Sequence, residues 1–284
     1  MKRFPLPSFL AVAVLLSTAT AVAQQAPRIN YRITNYYNVS PDKVAAMLDE
    51  AKTTGRKVMQ ARMSAGENIT SWYLSRLAFR GEPAADYNYT ISITFDGGPQ
   101  AATNVAARDQ LYRGATGMSF QDYNQKVGSL RTNVGSRLYR IEAAAQGSSV
   151  KEGNYVAASA WKIAQGRGAD YGNYVQNMLL PLNSQAVKEG RSNAWVALRL
   201  VSPGGGSSPF DAVINNTVKD LAAALPTTPN SPELGQTRFT QVFPKLNFSA
   251  FVEQGQALRT LVRTTMNEVM VAVERGGTAT SASR

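Results

Sequence analysis

The sequence predicts an α+β protein in which one βαββαβ unit occurs twice in tandem. Three observations carry that expectation. The stretch from Ala65 to Asp96, with Ala65-Gly66, Trp72 to Arg76 and Tyr87 to Phe95, returns about 124 residues later as Glu189-Gly190, Trp195 to Arg199 and Phe210 to Ile214. Phe120, Tyr123 and Leu130-Arg131-Thr132 meet Phe248, Phe251 and Leu258-Arg259-Thr260 at an offset of 128. Between these anchors the apolar spacing switches between the strand and helix periods in one order: strand, helix, strand, strand, helix, strand.

Each element has its own reason. Ile29 to Val39 is rich in Tyr and β-branched residues and predicts the first strand. Ser40-Pro41-Asp42 opens a helix to about Ser64, because proline suits a first helical turn. Val44, Met47, Leu48, Ala51, Gly55, Val58 and Met59 form its apolar stripe. Trp72 to Arg76 and Tyr87 to Phe95 are the paired strands, broken at Gly81-Glu82-Pro83. A short helix covers Val105 to Tyr112, a long one Phe120 to Val134, and a strand closes the unit at Ser136 to Ala144. Gly147-Ser148-Ser149 reads as the linker, giving units over 24–147 and 148–275. In the second unit Tyr155 to Ile163 is a strand. A helix spans Ala169 to Lys188, and Pro181 is expected to bend it. Strands follow at Asn193 to Val201 and Phe210 to Thr217, around the loop Ser202 to Pro209. Pro226 to Gln236 reads as a loop, Phe248 to Val262 as a helix, Val269 to Val273 as the last strand, and 276–284 as a polar, disordered tail.

The first 23 residues are expected to leave the mature chain. Lys2 and Arg3, the apolar run Phe9 to Leu16 and the small residues Ala21-Val22-Ala23 make the pattern of a signal peptide. Its apolar core is too short for a membrane span, and no later stretch is long enough without charges. The mature protein is therefore expected in the periplasm or outside the cell. The chain has no cysteine and no histidine, which excludes thiol chemistry, thiolate metal sites and a histidine base. No metal is expected: no Asp/Glu cluster replaces those ligands. Formal charge is +11, and +9 once Lys2 and Arg3 are set aside, with the basic residues scattered. That balance favours anionic partners without pointing to a specific nucleic-acid interface.

A ferredoxin-like βαββαβ unit makes an antiparallel sheet with both helices on one face. Two units can cover each other sheet to sheet. The element order, Gly66 before the Trp72 strand, the Tyr87-x-Tyr89 strand and their echoes at Gly190 and Trp195 resemble the dimeric α+β barrel superfamily. Its members include antibiotic-biosynthesis-monooxygenase-like, NIPSNAP-like and EthD-like domains. The resemblance runs from about Ile29 to Glu274, with both halves in one chain. It implies a pseudo-dimeric barrel and, with both halves present, a monomer. The haem branch of the superfamily normally uses an axial histidine, so no cofactor is expected.

Candidate ligand-binding residues follow from the paired strands. Trp72 and Arg76 share a strand face, as do Trp195 and Arg199, and an indole beside a guanidinium suits a planar or anionic ligand. Packing under a helix explains the same tryptophans. Tyr87 and Tyr89 make an aromatic wall, and Trp161 adds an indole on the first strand of the second unit. Asp96 and Asp220 end the third strands, as a base, as partners of an arginine, or as turn and helix caps. The sequence supports three functions. The first is a non-catalytic, exported binding module for a small organic or anionic ligand. The second is a cofactor-free monooxygenase-like enzyme, with Asp96 or Asp220 reaching an apolar cavity. The third is polyanion binding.

Overall fold

A computed structural model of the protein describes residues 29–81, 85–99, 104–203, 208–224 and 232–276. The expected signal peptide, Glu82-Pro83, Gly204 to Gly206 and residues 277–284 lie outside the described residues. The first half contains β1 (Tyr31–Asn38), a helix built of a 3-10 turn (Pro41–Lys43), α1 (Val44–Glu50), a π segment (Ala51–Gly55) and α2 (Arg56–Ser64), then β2 (Ile69–Phe79), β3 (Tyr89–Phe95), α3 (Val105–Thr116), α4 (Phe120–Leu130) and β4 (Thr132–Gln146). The second half contains β5 (Tyr155–Ile163), α5 (Gly168–Tyr174), a π segment (Val175–Leu179), α6 (Leu180–Lys188), β6 (Ala194–Ser202), β7 (Ala212–Val218), the short α7 (Leu221–Ala224), α8 (Pro232–Val242), α9 (Phe248–Leu258) and β8 (Arg259–Glu274).

The eight strands close into one antiparallel barrel in the order β1-β3-β2-β8-β5-β7-β6-β4. The halves join edge to edge, β2 on β8 and β4 on β6, rather than by stacking one sheet on the other. Closure removes the open sheet edges that each half would otherwise carry. The hydrogen-bond register obeys the internal repeat. Tyr31 pairs with Phe95 and Arg140, while Tyr155 pairs with Val218 and Glu268. A bulge interrupts β1 against β4 at Tyr36/Tyr37, and another interrupts β5 against β8 at Ala160/Trp161.

Helices cover the outside of the barrel. In the first half Met47, Ala51 and Met63 pack on Trp72, Leu74, Tyr89, Ile91 and Phe95. In the second, Tyr171, Tyr174, Val175 and Leu179 pack on Ala143, Trp195, Ala197 and Ala212. Full burial of such side chains contributes roughly 1.5–3 kcal/mol each. A third cluster, of strand and loop residues, fills part of the barrel interior around Tyr139, Ala160, Leu198 and Phe210. The long helices of the two halves start alike. Ser119 accepts from the Asp122 amide and Asn247 from the Ala250 amide, each satisfying an orphan donor of a first turn.

Several elements differ from the sequence expectation. The spacing that placed Val134, Leu261 and Val262 on helices fails, because both helices stop one residue before an arginine in extended backbone, Arg131 and Arg259. Strands β4 and β8 therefore begin earlier and are 15 and 16 residues long. Of the loop expected at Pro226 to Gln236, residues 226–231 lie outside the described residues, and the remainder is the start of α8, with Pro232 at its first position. The irregularity expected from Pro181 is a π segment that lies just before it. The first half carries the same segment with Lys57 at the equivalent position, so proline is not its sole cause.

Candidate ligand-binding site

The site grows from the junction of α9 and β8. Leu258 is the last helical residue and is buried, so the chain turns into the barrel with Arg259 directed under the helices. The Arg259 guanidinium carbon lies 4.0 Å from the Trp161 ring centroid, 5.5 Å from that of Tyr174 and 5.9 Å from that of Tyr171. Trp161 reaches this place because the bulge at Ala160/Trp161 sets it opposite Leu261 on the helix side of the barrel. Tyr171 and Tyr174 come from α5, three residues apart and so on one helix face.

On the other side of Tyr171 stands Arg199, 4.9 Å from its ring centroid. The two guanidinium groups differ in charge balance. Arg199 pairs with Glu142 at 3.1 Å and donates to the Gly168 carbonyl at 3.0 Å, with Glu142 almost fully buried. Arg259 has no carboxylate partner among the described residues. Three donors in this cage are shut off from solvent and have no hydrogen-bond acceptor: Arg259 Nη1, Trp161 Nε1 and the Tyr171 hydroxyl. The Tyr171 hydroxyl sits close enough to Arg259 to feel its charge, but the pair falls short of hydrogen-bond geometry. Burial raises the pKa of Tyr171, and pushes that of Tyr174 up to about 12, so both phenols stay neutral donors. A buried donor without an acceptor costs about 1–3 kcal/mol, so three together need an explanation.

A cleft of about 350 Å³ opens beside the cage, between α5 and α9, lined by Tyr174, Asn173, Asn177, Met178, Gln254 and the ion pair of Arg167 with Asp170. Tyr174 is its inner wall and stacks on Phe251 at 5.5 Å. Gly255 lets the Tyr174 hydroxyl approach: a β-carbon there would stand 2.7 Å from that oxygen. A larger groove of about 540 Å³ lies between α6 and α8 around Lys188 and Glu189, but it has no aromatic wall and touches none of the cage residues. The smaller cleft is the chemically equipped one.

The structure brings Trp161 and Arg199 together and places Trp195 in the same core. The other candidates lie elsewhere. Trp72 and Tyr89 fill the core of the first half, and Arg76 pairs with Glu268 at 2.5 Å at the strand end. Tyr87 turns toward the barrel interior, edge-on to Tyr36 at 4.8 Å, where Tyr36 and Tyr139 share a 2.9 Å hydrogen bond. Asp96 follows β3 directly, its amide bonded to the Asn68 carbonyl. Asp220 accepts from the Ala223 amide at 2.8 Å and caps α7, a helix-capping role. Among the described residues no group of three metal-ligating side chains occurs, and no helix is long and apolar enough to cross a membrane.

No family model matches the chain, and no curated protein matches it. Solved structures do, among them two of putative monooxygenases. The protein from Fusobacterium nucleatum subsp. nucleatum ATCC 25586 superposes with a TM-score of 0.55 at 10% identity, over 89% of this chain and 97% of that one. The protein from Lactobacillus acidophilus NCFM gives 0.51 at 8% identity, over 88% and 97%. The chain thus has the dimeric α+β barrel fold with both halves in one polypeptide.

Proposed function

We propose that the protein binds a small planar organic acid under the helices of its second half. The unsatisfied donors carry this reading: Arg259, Trp161 and Tyr171 together ask for an oxygen acceptor, and Arg259 asks for a negative one. The aromatic faces of Trp161 and Tyr174 suit a flat ring beside that oxygen. The function is binding, and the export expected from residues 1–23 makes the protein a receiver of such acids outside the cytoplasm. The monooxygenase-like alternative expects an apolar cavity reached by a carboxylate such as Asp96 or Asp220; Asp220 is engaged as a helix cap, and Asp96 directly follows β3 in the first half.

Calorimetric titration with 2-naphthoate tests the reading. Arg259→Met should weaken binding about 10- to 100-fold, the worth of one charge-assisted hydrogen bond of roughly 1.5–3 kcal/mol. Arg76→Met, on the far half, should change nothing. No binding by the intact protein, or equal loss in both variants, would sink the assignment.

A further inference from the structure

Two β-bulges shape the cage of the second half. The one in β5 sets Trp161, and Glu142 is the extra residue of one in β4, where Ile141 pairs with Leu198 and Ala143 with Ala197. Ile141 packs inside the barrel and Ala143 under the helices, so the chain turns over at Glu142. There the Glu142 side chain, 7% exposed, holds Arg199 at 3.1 Å, and its backbone carbonyl accepts from the Gln176 side chain in the π segment. Half-exposed Arg140 reaches the same carboxylate at 3.0 Å. The first half has this bulge without the charge. At the offset of 128 the counterpart of Glu142 is Met270, the extra residue between Val269 and Val271 against β2, and it packs on the core. Arg76, the counterpart of Arg199 at 123, pairs with Glu268 instead. The frame therefore needs no carboxylate at this place, and the second half has one.

Its effect is on the charge of the site. Beside the cage, Arg167 and Asp170 close a pair at 2.5 Å with both side chains half-exposed. Behind Tyr171, Arg199 is matched by Glu142. Arg259 is left without a carboxylate partner among the described residues. These five side chains sum to one positive charge. A ligand with two negative charges would need a second guanidinium, and Arg199, across the Tyr171 ring from Arg259, is the one within reach. Drawing it away would strip an enclosed carboxylate of a partner, which is strongly unfavourable.

We propose that Glu142 is the specificity-determining residue of the site: by holding Arg199 it restricts the ligand to flat acids with a single negative charge and rejects flat dianions. This rests on the reading of the cage as an acid site. Glu142 acts through Arg199 and does not touch the ligand itself.

Calorimetric titration of the intact protein at pH 8, with 2-naphthoate and naphthalene-2,3-dicarboxylate as probes, tests it. The wild-type protein should bind the monoanion about 10-fold or more tightly than the dianion, the scale of one charge–charge interaction near a protein surface. Glu142→Gln keeps the shape of the side chain and releases the charge of Arg199. It should raise affinity for the dicarboxylate about 10-fold more than for 2-naphthoate, so that the preference is lost. Adding Arg199→Gln to Glu142→Gln should bring the preference back, which general damage to the fold would not do. The wild-type comparison needs no variant and decides the matter if Glu142→Gln does not fold. The proposal is overturned if the wild-type protein binds both acids alike, or if a folded Glu142→Gln keeps the wild-type preference. Binding of neither acid would remove the acid reading of the cage and this proposal with it, whereas binding of 2-naphthoate without preference would remove only the role of Glu142.

Discussion

Glycines at two equivalent helices show how much a single β-carbon decides. Gly255 in α9 has the Tyr174 hydroxyl 2.7 Å from the place of its missing β-carbon, whereas Gly128 in α4 has nothing within 4 Å. Gly128→Ala should therefore stabilise the protein by roughly 0.5–1 kcal/mol, through the lost freedom of the unfolded chain. Gly255→Ala should destabilise it by about 1–3 kcal/mol, as overpacking does, and should disturb the stack of Tyr174 on Phe251. Urea unfolding midpoints of the two variants should move in opposite directions. Glu50 makes a different test. Desolvation dominates its surroundings and raises it above the ordinary carboxyl range, over the opposing pull of Tyr123, Arg131 and Lys126. A carboxyl raised in the fold holds more protons folded than unfolded. Its contribution to stability is therefore lost as pH rises from its ordinary value, about 4.3, through the raised one. Glu50→Gln should unfold at higher urea than wild type near pH 8, with the gap closing toward pH 4. A gap that stays constant over that range would show that Glu50 is not its source. At this scale the sequence was only partly legible. Arg131 and Arg259 were visible as the repeated Leu-Arg-Thr, yet helical spacing assigned them to helices. The cage emerges only once Leu258 is seen to end the helix, and Glu50 was missed because an acid on an apolar stripe reads as solvated.

Among the elements, the π segments deserve a direct test. Pro181→Ala removes the residue expected to distort its helix, but Lys57 occupies the matching place behind an identical segment. The distortion should persist, and stability should change by less than about 1 kcal/mol, well short of the roughly 3 kcal/mol that relief of a strained interior proline could release. A large gain in unfolding midpoint would contradict this. Most element types and their order were readable from periodicity and turn residues. Ends were not, and small shifts in the offset between halves show why. The third strands and their partners match at 123 rather than 124, because Thr70 forms a bulge in β2 between Ile69 and Ser71 that β6 lacks. Asp96 and Asp220 look equivalent at 124, but Asp96 follows β3 directly and Asp220 stands one residue further past β7. The same shift makes Tyr87 the counterpart of Phe210, the ring that Arg137 covers at 4.7 Å. Helix α8 lay hidden behind Pro232, which marks a turn in a sequence and starts a helix here.

For the molecule as a whole, the junctions between halves matter more than the connection between them. β2 with β8 and β4 with β6 form ladders as long as those within a half, whereas residues 147–154 are tied down by single bonds, such as Gly153 N–H to the Val269 carbonyl, without a ladder of their own. Cleavage at a protease site placed at Glu152-Gly153 should therefore leave one particle. The two fragments should co-elute in native gel filtration and separate in denaturant. Separation under native conditions would mean that the ladders do not hold the barrel closed. Pairing of the halves was foreseeable from the repeat. The resemblance implied the closed barrel, but periodicity alone leaves each half with two edge strands without saying whether they meet or are covered.

The matched π segments also bear on symmetry. Residues 51–55 and 175–179 stand at the same offset as the helices around them, so the widened turn belongs to the shared plan of both halves. An insertion in one half alone would break that spacing. Each half supplies four strands to a barrel that neither closes by itself. A symmetric frame of this kind leaves the two sides free to hold different side chains. Glu50 and Tyr174, at one position of that frame, are the clearest case.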